Sequence, residues 1–157
     1  MPNVPFMLLH GLYYTSLGAW VGMMLMIAAG APSVFRILPD RAQAGDVIGG
    51  WLKVYYRAAL ALGILAAVAA VFRARVMEPT LWQGPWIPAK VIASVRYALL
   101  ALMVLNVLYA GWSVDPEVHR LRAELPASRE AFDALHRRSV SLMKANLLAG
   151  VAVIFLS

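Results

Sequence analysis

Apolar residues run in long blocks along this chain and do not alternate with polar ones. The first block extends from Pro5 to Leu38, with its apolar core between His10 and Ala31. About 20 apolar residues suffice to cross roughly 30 Å of hydrocarbon, and this block exceeds that length. Pro39 ends it. Asp40, with Gln43 three residues on, opens a second helix as a capping box. That helix is expected to run to about Phe72 and to be wholly apolar only after Arg57. The stretch from Arg73 to Pro88 reads as the one long loop, holding Pro79, Gly84 and Pro85. Trp82 and Trp86 in that loop suit the headgroup level. Pro88, a favourable first-turn residue, starts a third helix that is apolar from Tyr97 to about Val114. Asp115-Pro116-Glu117 then looks like a fresh helix start, so a kink or short break is expected near Gly111, followed by a basic extension to Leu125. After Pro126, Ser128 caps a fourth helix that runs to the end of the chain.

The pattern predicts an all-α protein: one integral membrane four-helix bundle over residues 1–157, with helices extended into the cytoplasm. The spans are expected at about 8–36, 50–73, 89–113 and 135–156. Composition agrees. Hydrophobic residues make up 62% of the chain and charged residues only 14%, against about 25% in a soluble domain. So few charges could not wet the surface of a globule in water, whereas lipid asks for none. No cysteine is present, which removes disulfides, iron–sulfur clusters, thiolate zinc sites and cysteine nucleophiles. No Lys or Arg precedes Arg36, so the basic start of a signal peptide is missing and the first segment is expected to stay in the membrane.

The net charge of +6 would suggest nucleic acid on a soluble protein. Here the basic residues cluster at helix ends, so membrane lipids are the expected partner and nucleic acid is not. Arg outnumbers Lys and Ala is abundant, which suits a bacterial inner membrane protein. Arg36, Arg41, Lys53 and Arg57 flank the first connection, and Arg120, Arg122, Arg129, Arg137 and Arg138 the third. The second has Arg73, Arg75 and Lys90, and the N-terminus none. Positive charge stays inside, so the first and third connections are expected in the cytoplasm and both termini outside. The two halves share a plan, long helix, proline turn, long helix, which fits either a degenerate parallel repeat or two ordinary hairpins.

No enzyme motif is visible: no phosphate-binding glycine loop, no HExxH, no carboxylate pair within a span. Four features remain as candidates. Gly11, Thr15, Gly18, Gly22 and Ala29 share a stripe of the first helix, and Gly18 and Gly22 form a GxxxG pair for close helix packing. Packing within the chain and a dimer interface both fit. His10 shares a face with Met7 and Tyr14, and His with Met suits a soft metal ion such as Cu(I), although methionine also fills irregular cores. His10 lies most of a bilayer away from His119 and His136, so no bis-histidine haem across the membrane follows. His119 and His136 flank the Pro126 turn, with Asp115, Glu117 and Asp133 near in sequence. Polar helix ends and a cytoplasmic metal site both account for them. No cofactor beyond a metal ion is expected.

The fourth candidate is a set of polar residues in or beside the apolar spans: Arg57, Arg96, Asn106, Lys144 and Asn146. Such residues are costly in lipid and face the bundle interior or water. His136, Ser139, Met143, Asn146 and Gly150 follow helical spacing, and Arg96, Met103, Asn106 and Ser113 roughly do so. Two such stripes, with Arg57 and Lys144, could line a shallow polar cavity open to the cytoplasm. Snorkelling of the long cations and interhelical bonds between asparagines are the plainer account.

Several segments resemble a known family. His10-Gly-Leu leads to Gly18-Ala19-Trp20-Val21-Gly22-Met23, then Val34-Phe35-Arg36-Ile37-Leu38-Pro39, then Tyr55-Tyr56-Arg57. This is similar to the transmembrane protein 205-like family, a membrane domain of unknown function in bacteria. Asn106 and Asp115-Pro116 match its Asn and helix-end proline, and Phe132, His136 and Ser139 its aromatic-His-Ser pattern. Its Phe-Pro before the tyrosines is Leu52-Lys53 here, and its Asn after the His-Ser pair falls at Met143, with Asn146 nearby. The resemblance implies four spans. Through a vertebrate member tied to resistance to platinum drugs, and a looser likeness to bacterial copper-resistance proteins, it also implies metal handling. The leading expectation is therefore a small non-enzymatic membrane protein of transport or resistance, related to metal ions. The alternatives are an accessory subunit of a larger membrane complex, with other subunits or itself as partner, and a membrane redox protein carrying haem or copper.

Overall fold

A computed structural model describes residues 4–77 and 87–157. The chain forms α1 (Val4–Ile37), α2 (Arg41–Met77), α3 (Pro88–Tyr109), a π-helical turn (Ala110–Val114), α4 (Asp115–Ala123) and α5 (Arg129–Phe155). No strand occurs among the described residues. Four helical segments are long and apolar enough to span a membrane: α1, α2, α3 continued through α4, and α5. α1 has 34 residues and α2 has 37. At about 1.5 Å per residue each is far longer than the roughly 30 Å hydrocarbon layer, so the ends of both protrude.

Local chemistry explains the boundaries. α1 stops one residue before Leu38-Pro39, because proline disfavours helix in the residue before it. Asp40 then caps α2, its Oδ1 accepting from the Ala42 N–H at 2.8 Å. α2 does not end near Phe72 as the sequence suggests. It continues to Met77 and takes Arg73 and Arg75 into the helix. Trp82 and Trp86 lie outside the described residues. Pro88 occupies the first turn of α3. Near Gly111 the helix does not break. It widens into the π turn and resumes as α4 at Asp115-Pro116. Ser128 takes the cap position of α5 but accepts no capping bond from the first-turn N–H groups. Its hydroxyl turns back to the carbonyl of Leu121 and ties α5 to α4.

The four spans pack in a ring: α1 on α2, α2 on α3, α3 on α5, and α5 back on α1. The most deeply buried side chains include Tyr13, Leu17, Trp20 and Met24 of α1, with Met103 of α3 and Val153 of α5. Spacings of four, three and four residues put the large side chains of α1 on one inward face. Glycines let the neighbours close in. A Cβ at Gly63 would stand 3.0 Å from the Trp20 ring and 3.0 Å from Val104. One at Gly150 would stand 2.7 Å from Val21 Cγ2 and 3.0 Å from Met103 Cε. Outside, Met26, Ile64, Leu102, Leu105 and Leu148 are each more than half exposed. An apolar belt of this extent is costly in water and is what a bilayer requires of a spanning bundle.

Candidate functional site

At mid-bundle, four side chains from four helices form one polar chain. Trp20 of α1 donates its Nε1–H to the Tyr55 hydroxyl of α2 at 3.4 Å, and that hydroxyl lies against Asn146 of α5. Asn146 accepts from the Asn106 amide of α3 at 2.9 Å and donates to the Met103 carbonyl at 3.2 Å. Asn106 also donates to the Leu142 carbonyl at 3.0 Å. Its Oδ1 is buried and has no hydrogen-bond partner. Beside it lies a crevice of about 10 Å³, lined by Tyr55, Tyr56, Asn106, Ala110, Met143 and Asn146 among others. That is room for about one water molecule. Tyr56 and Ser139 meet at its edge. Bonds of this kind make the four helices mutually dependent, since an unsatisfied amide in hydrocarbon is expensive.

The seven residues expected around a shared polar cavity are therefore divided among separate places. Asn106 and Asn146 pair directly, and Ser139 lies close by against Tyr56. Arg57 and Lys144 are exposed. His136 is exposed too, stacked on Phe132 of its own helix at 5.8 Å. Arg96 is buried, but it belongs to the bundle end that carries the chain termini: it donates to the Leu156 carbonyl at 3.5 Å and to the Tyr97 hydroxyl at 2.9 Å. Among the described residues, Tyr55, Tyr56, Asn106 and Asn146 border a crevice with room for about one water.

The terminal end holds a second polar group. Arg73, Lys90 and Arg96 are each more than nine-tenths buried. Arg73 donates to the Ser157 backbone oxygen at 2.8 Å and lies over the rings of Tyr13 and Tyr14 at 5.3 and 5.8 Å. Ser157 gives its own hydroxyl proton to the Val153 carbonyl and so accepts from the Tyr13 hydroxyl at 2.9 Å. His10 stacks on Tyr14 with ring centres 5.8 Å apart. Met7, its expected partner at a metal, is 61% exposed, whereas the Nε2 of His10 is buried. Among the described residues no three His, Asp or Glu side chains converge as a metal-binding group.

At the opposite end, α4 lies on the start of α2. Arg122 reaches the Ala42 carbonyl and pairs with Asp46 at 3.1 Å. His119 is 3.7 Å from Asp115. Gly45 and Gly49 provide the seats: a Cβ there would stand 2.7 Å from the Arg122 guanidinium and 2.7 Å from the His119 ring. His119 thus turns to α2, while His136 stays with Phe132. Sequence reasoning did not find these seats, because Gly45 and Gly49 carry no signal until α4 is placed over them.

The stripe on α1 is the largest departure. Packing of Gly18 and Gly22 within the chain was one expectation, and the structure does not have it. A Cβ at Gly11, Gly18 or Gly22 would meet nothing within 4 Å. All three, with Thr15, face away from the bundle.

Four long apolar helices in a closed ring, with a lipid-compatible exterior, define a multi-pass four-helix membrane protein. A family model, DUF4149, a domain of unknown function, matches residues 15–127, and the chain belongs to that family. The match lends no support to the transmembrane protein 205 likeness. No curated protein and no solved structure matches the chain.

Proposed function

We propose that this protein acts by association inside the bilayer, as a non-enzymatic subunit that contributes a four-helix module to a larger membrane assembly. The observation that carries this reading is the outward stripe of Gly11, Thr15, Gly18 and Gly22. Elsewhere in the bundle Gly30, Gly63, Gly111 and Gly150 each receive a neighbouring side chain within 3.1 Å of where a Cβ would stand. Apart from Gly50, the described glycines without such a neighbour are the three on α1. Small residues in lipid let a second helix approach closely, and among the described residues nothing uses that approach.

Purification in mild detergent followed by mass spectrometry tests it. The wild-type chain should carry another subunit or a second copy. A Gly18→Ile, Gly22→Ile variant should fold normally and come out alone. Recovery of the wild-type chain as a bare monomer would overturn the proposal.

A second reading, transport or resistance toward a small solute or metal ion in a bacterial inner membrane, is favoured by one feature: the unpartnered Asn106 Oδ1 beside the crevice and the adjoining π turn, a motif frequent at functional sites. Uptake and tolerance in cells expressing wild type, Asn106→Leu, His10→Ala and His136→Ala would decide it. Identical behaviour in all four removes the reading.

A further inference from the structure

We propose that the crevice between α2, α3 and α5 is a binding site for a single water molecule, which joins Asn106 Oδ1 to the Tyr56 hydroxyl. Water binding there holds whether the protein works by association or by transport. The Asn106 amide makes the demand. Its Nδ2 has two acceptors, the Leu142 carbonyl at 3.0 Å and Asn146 Oδ1 at 2.9 Å. Its Oδ1 is buried and has no hydrogen-bond partner. Turning the amide over does not help, because Oδ1 would then face those same two acceptors. Asn146 is held in its own orientation by the bond from its Nδ2 to the Met103 carbonyl at 3.2 Å. A bare amide oxygen in a membrane interior is costly, so a donor is called for.

The crevice lies where that donor is needed. It is bordered by Asn106 and Asn146, by Tyr55 and Tyr56, and by Ala110 and Met143. Ala110 is the first residue of the π turn, and the next, Gly111, admits the Tyr56 side chain: a Cβ there would stand 3.1 Å from Tyr56 Cβ and Cγ. The two tyrosine hydroxyls are not equally engaged. That of Tyr55 takes the Trp20 Nε1–H at 3.4 Å and also meets Asn146. That of Tyr56 meets Ser139. A hydroxyl donates once and accepts twice, so one bond to Ser139 leaves Tyr56 capacity to hold a water.

Size and charge select the occupant. The crevice measures about 10 Å³, close to the least that one water needs. A larger solute would have to push the helices apart. No carboxylate borders the space, so a dehydrated cation would find only neutral oxygens. Cavities that stay dry are lined by apolar groups alone, whereas this one has two amides and two phenols on its wall. With the water in place, one polar chain runs from Trp20 through Tyr55, Asn146 and Asn106 to Tyr56 and Ser139, and every span contributes to it.

The full chain, deuterated except for the methyl groups of methionine and alanine and held in lipid nanodiscs, can be examined by NMR for magnetisation transfer from water to methyl protons. Met143 and Ala110 border the crevice, and the fully buried Met24 reports on the dry core. Cross-peaks to water are expected at Met143 and Ala110 and not at Met24. They should be lost in Asn106→Leu, which removes the acceptor and fills the space but keeps the hydroxyls of Tyr56 and Ser139. Wild type without these cross-peaks would overturn the proposal. So would cross-peaks that persist in Asn106→Leu, since they would then come from exchanging hydroxyl protons. Should Asn106→Leu fail to fold, crystals of wild type decide. Density for a water within hydrogen-bond distance of both Asn106 Oδ1 and the Tyr56 hydroxyl upholds the site. A map that shows ordered water elsewhere in the protein and none there overturns it.

Discussion

The amide pair between α3 and α5 permits a quantitative test. Asn106→Ala removes two bonds, to Asn146 Oδ1 and to the Leu142 carbonyl, and Asn146→Ala removes two, to Asn106 and to the Met103 carbonyl, along with its contact with the Tyr55 hydroxyl. The Asn106–Asn146 bond is common to both losses, so three distinct bonds are lost in the double variant, and the sum of the single effects counts one of them twice. Side-chain bonds between membrane helices average about 0.6 kcal/mol and reach about 1.7. Asn146 is 3% exposed, so its truncation also leaves a void. Together these put Asn146→Ala at roughly 1–3 kcal/mol. The double variant should fall short of the summed single effects by about 0.6–1.7 kcal/mol, and more if an orphaned amide in a single variant adds its own penalty. The assay is reversible unfolding of the purified protein in bicelles, titrated with a denaturing detergent, for wild type, both single variants and the double. Additivity to within about 0.3 kcal/mol, the behaviour of independent sites, would refute a direct bond between these side chains.

Three further outcomes follow from the packing. Gly150→Ala places a Cβ 2.7 Å from Val21 Cγ2 and should lower stability by about 1–3 kcal/mol, while Gly22→Ala, with open space at the same point, should leave the melting temperature unchanged. Arg57→Gln and Lys144→Gln, both at exposed positions, should shift stability by less than about 0.5 kcal/mol, whereas a charge-lined interior would require large losses in the same melting experiment. An alkaline phosphatase fused after Ser157 should be active if the termini lie outside, as the basic residues of the first and third connections imply; an inactive enzyme with a fluorescent cytoplasmic reporter at the same position would reverse the orientation.

The helices and their order were legible because lipid forces apolar residues into unbroken runs, and because Pro39, Pro88, Asp115-Pro116 and Pro126 punctuate them. The disturbance at Gly111 was legible for the same reason, though its form was not: a proline two residues into α4 marks a new start but does not say whether the helix breaks or widens. The facing of Asn106 and Asn146 was visible as two polar stripes. Their depth was harder to see. Arg96 shares the face of Asn106, but ten residues of helix separate them, about 15 Å, so one stripe serves two different levels. Phase was hardest for charges at the margin of a span. Arg57 follows Tyr55 and Tyr56, whose side chains point inward, and one further step of about 100° turns it outward. On α1 the small residues looked like the packing face. The bundle buries the opposite side, where Tyr13, Leu17, Trp20 and Met24 supply far more apolar area than glycines could.

The π turn at Ala110–Val114 has a consequence for the far end of the molecule. Such a turn accommodates one residue more than an α-helical path, which advances everything after it by about 100°. Trp112 is 77% exposed and Ser113 is also outward-facing, so the surplus is carried by residues that the bundle hardly touches. Yet that surplus sets the azimuth at which α4 emerges, and hence whether His119 and Arg122 arrive over the two glycines of α2 or swing past them. The alignment of the distal helix is thus governed by a count of residues along the chain, and a single deletion among positions 110–114 would mis-aim it while leaving every one of its own side chains in place.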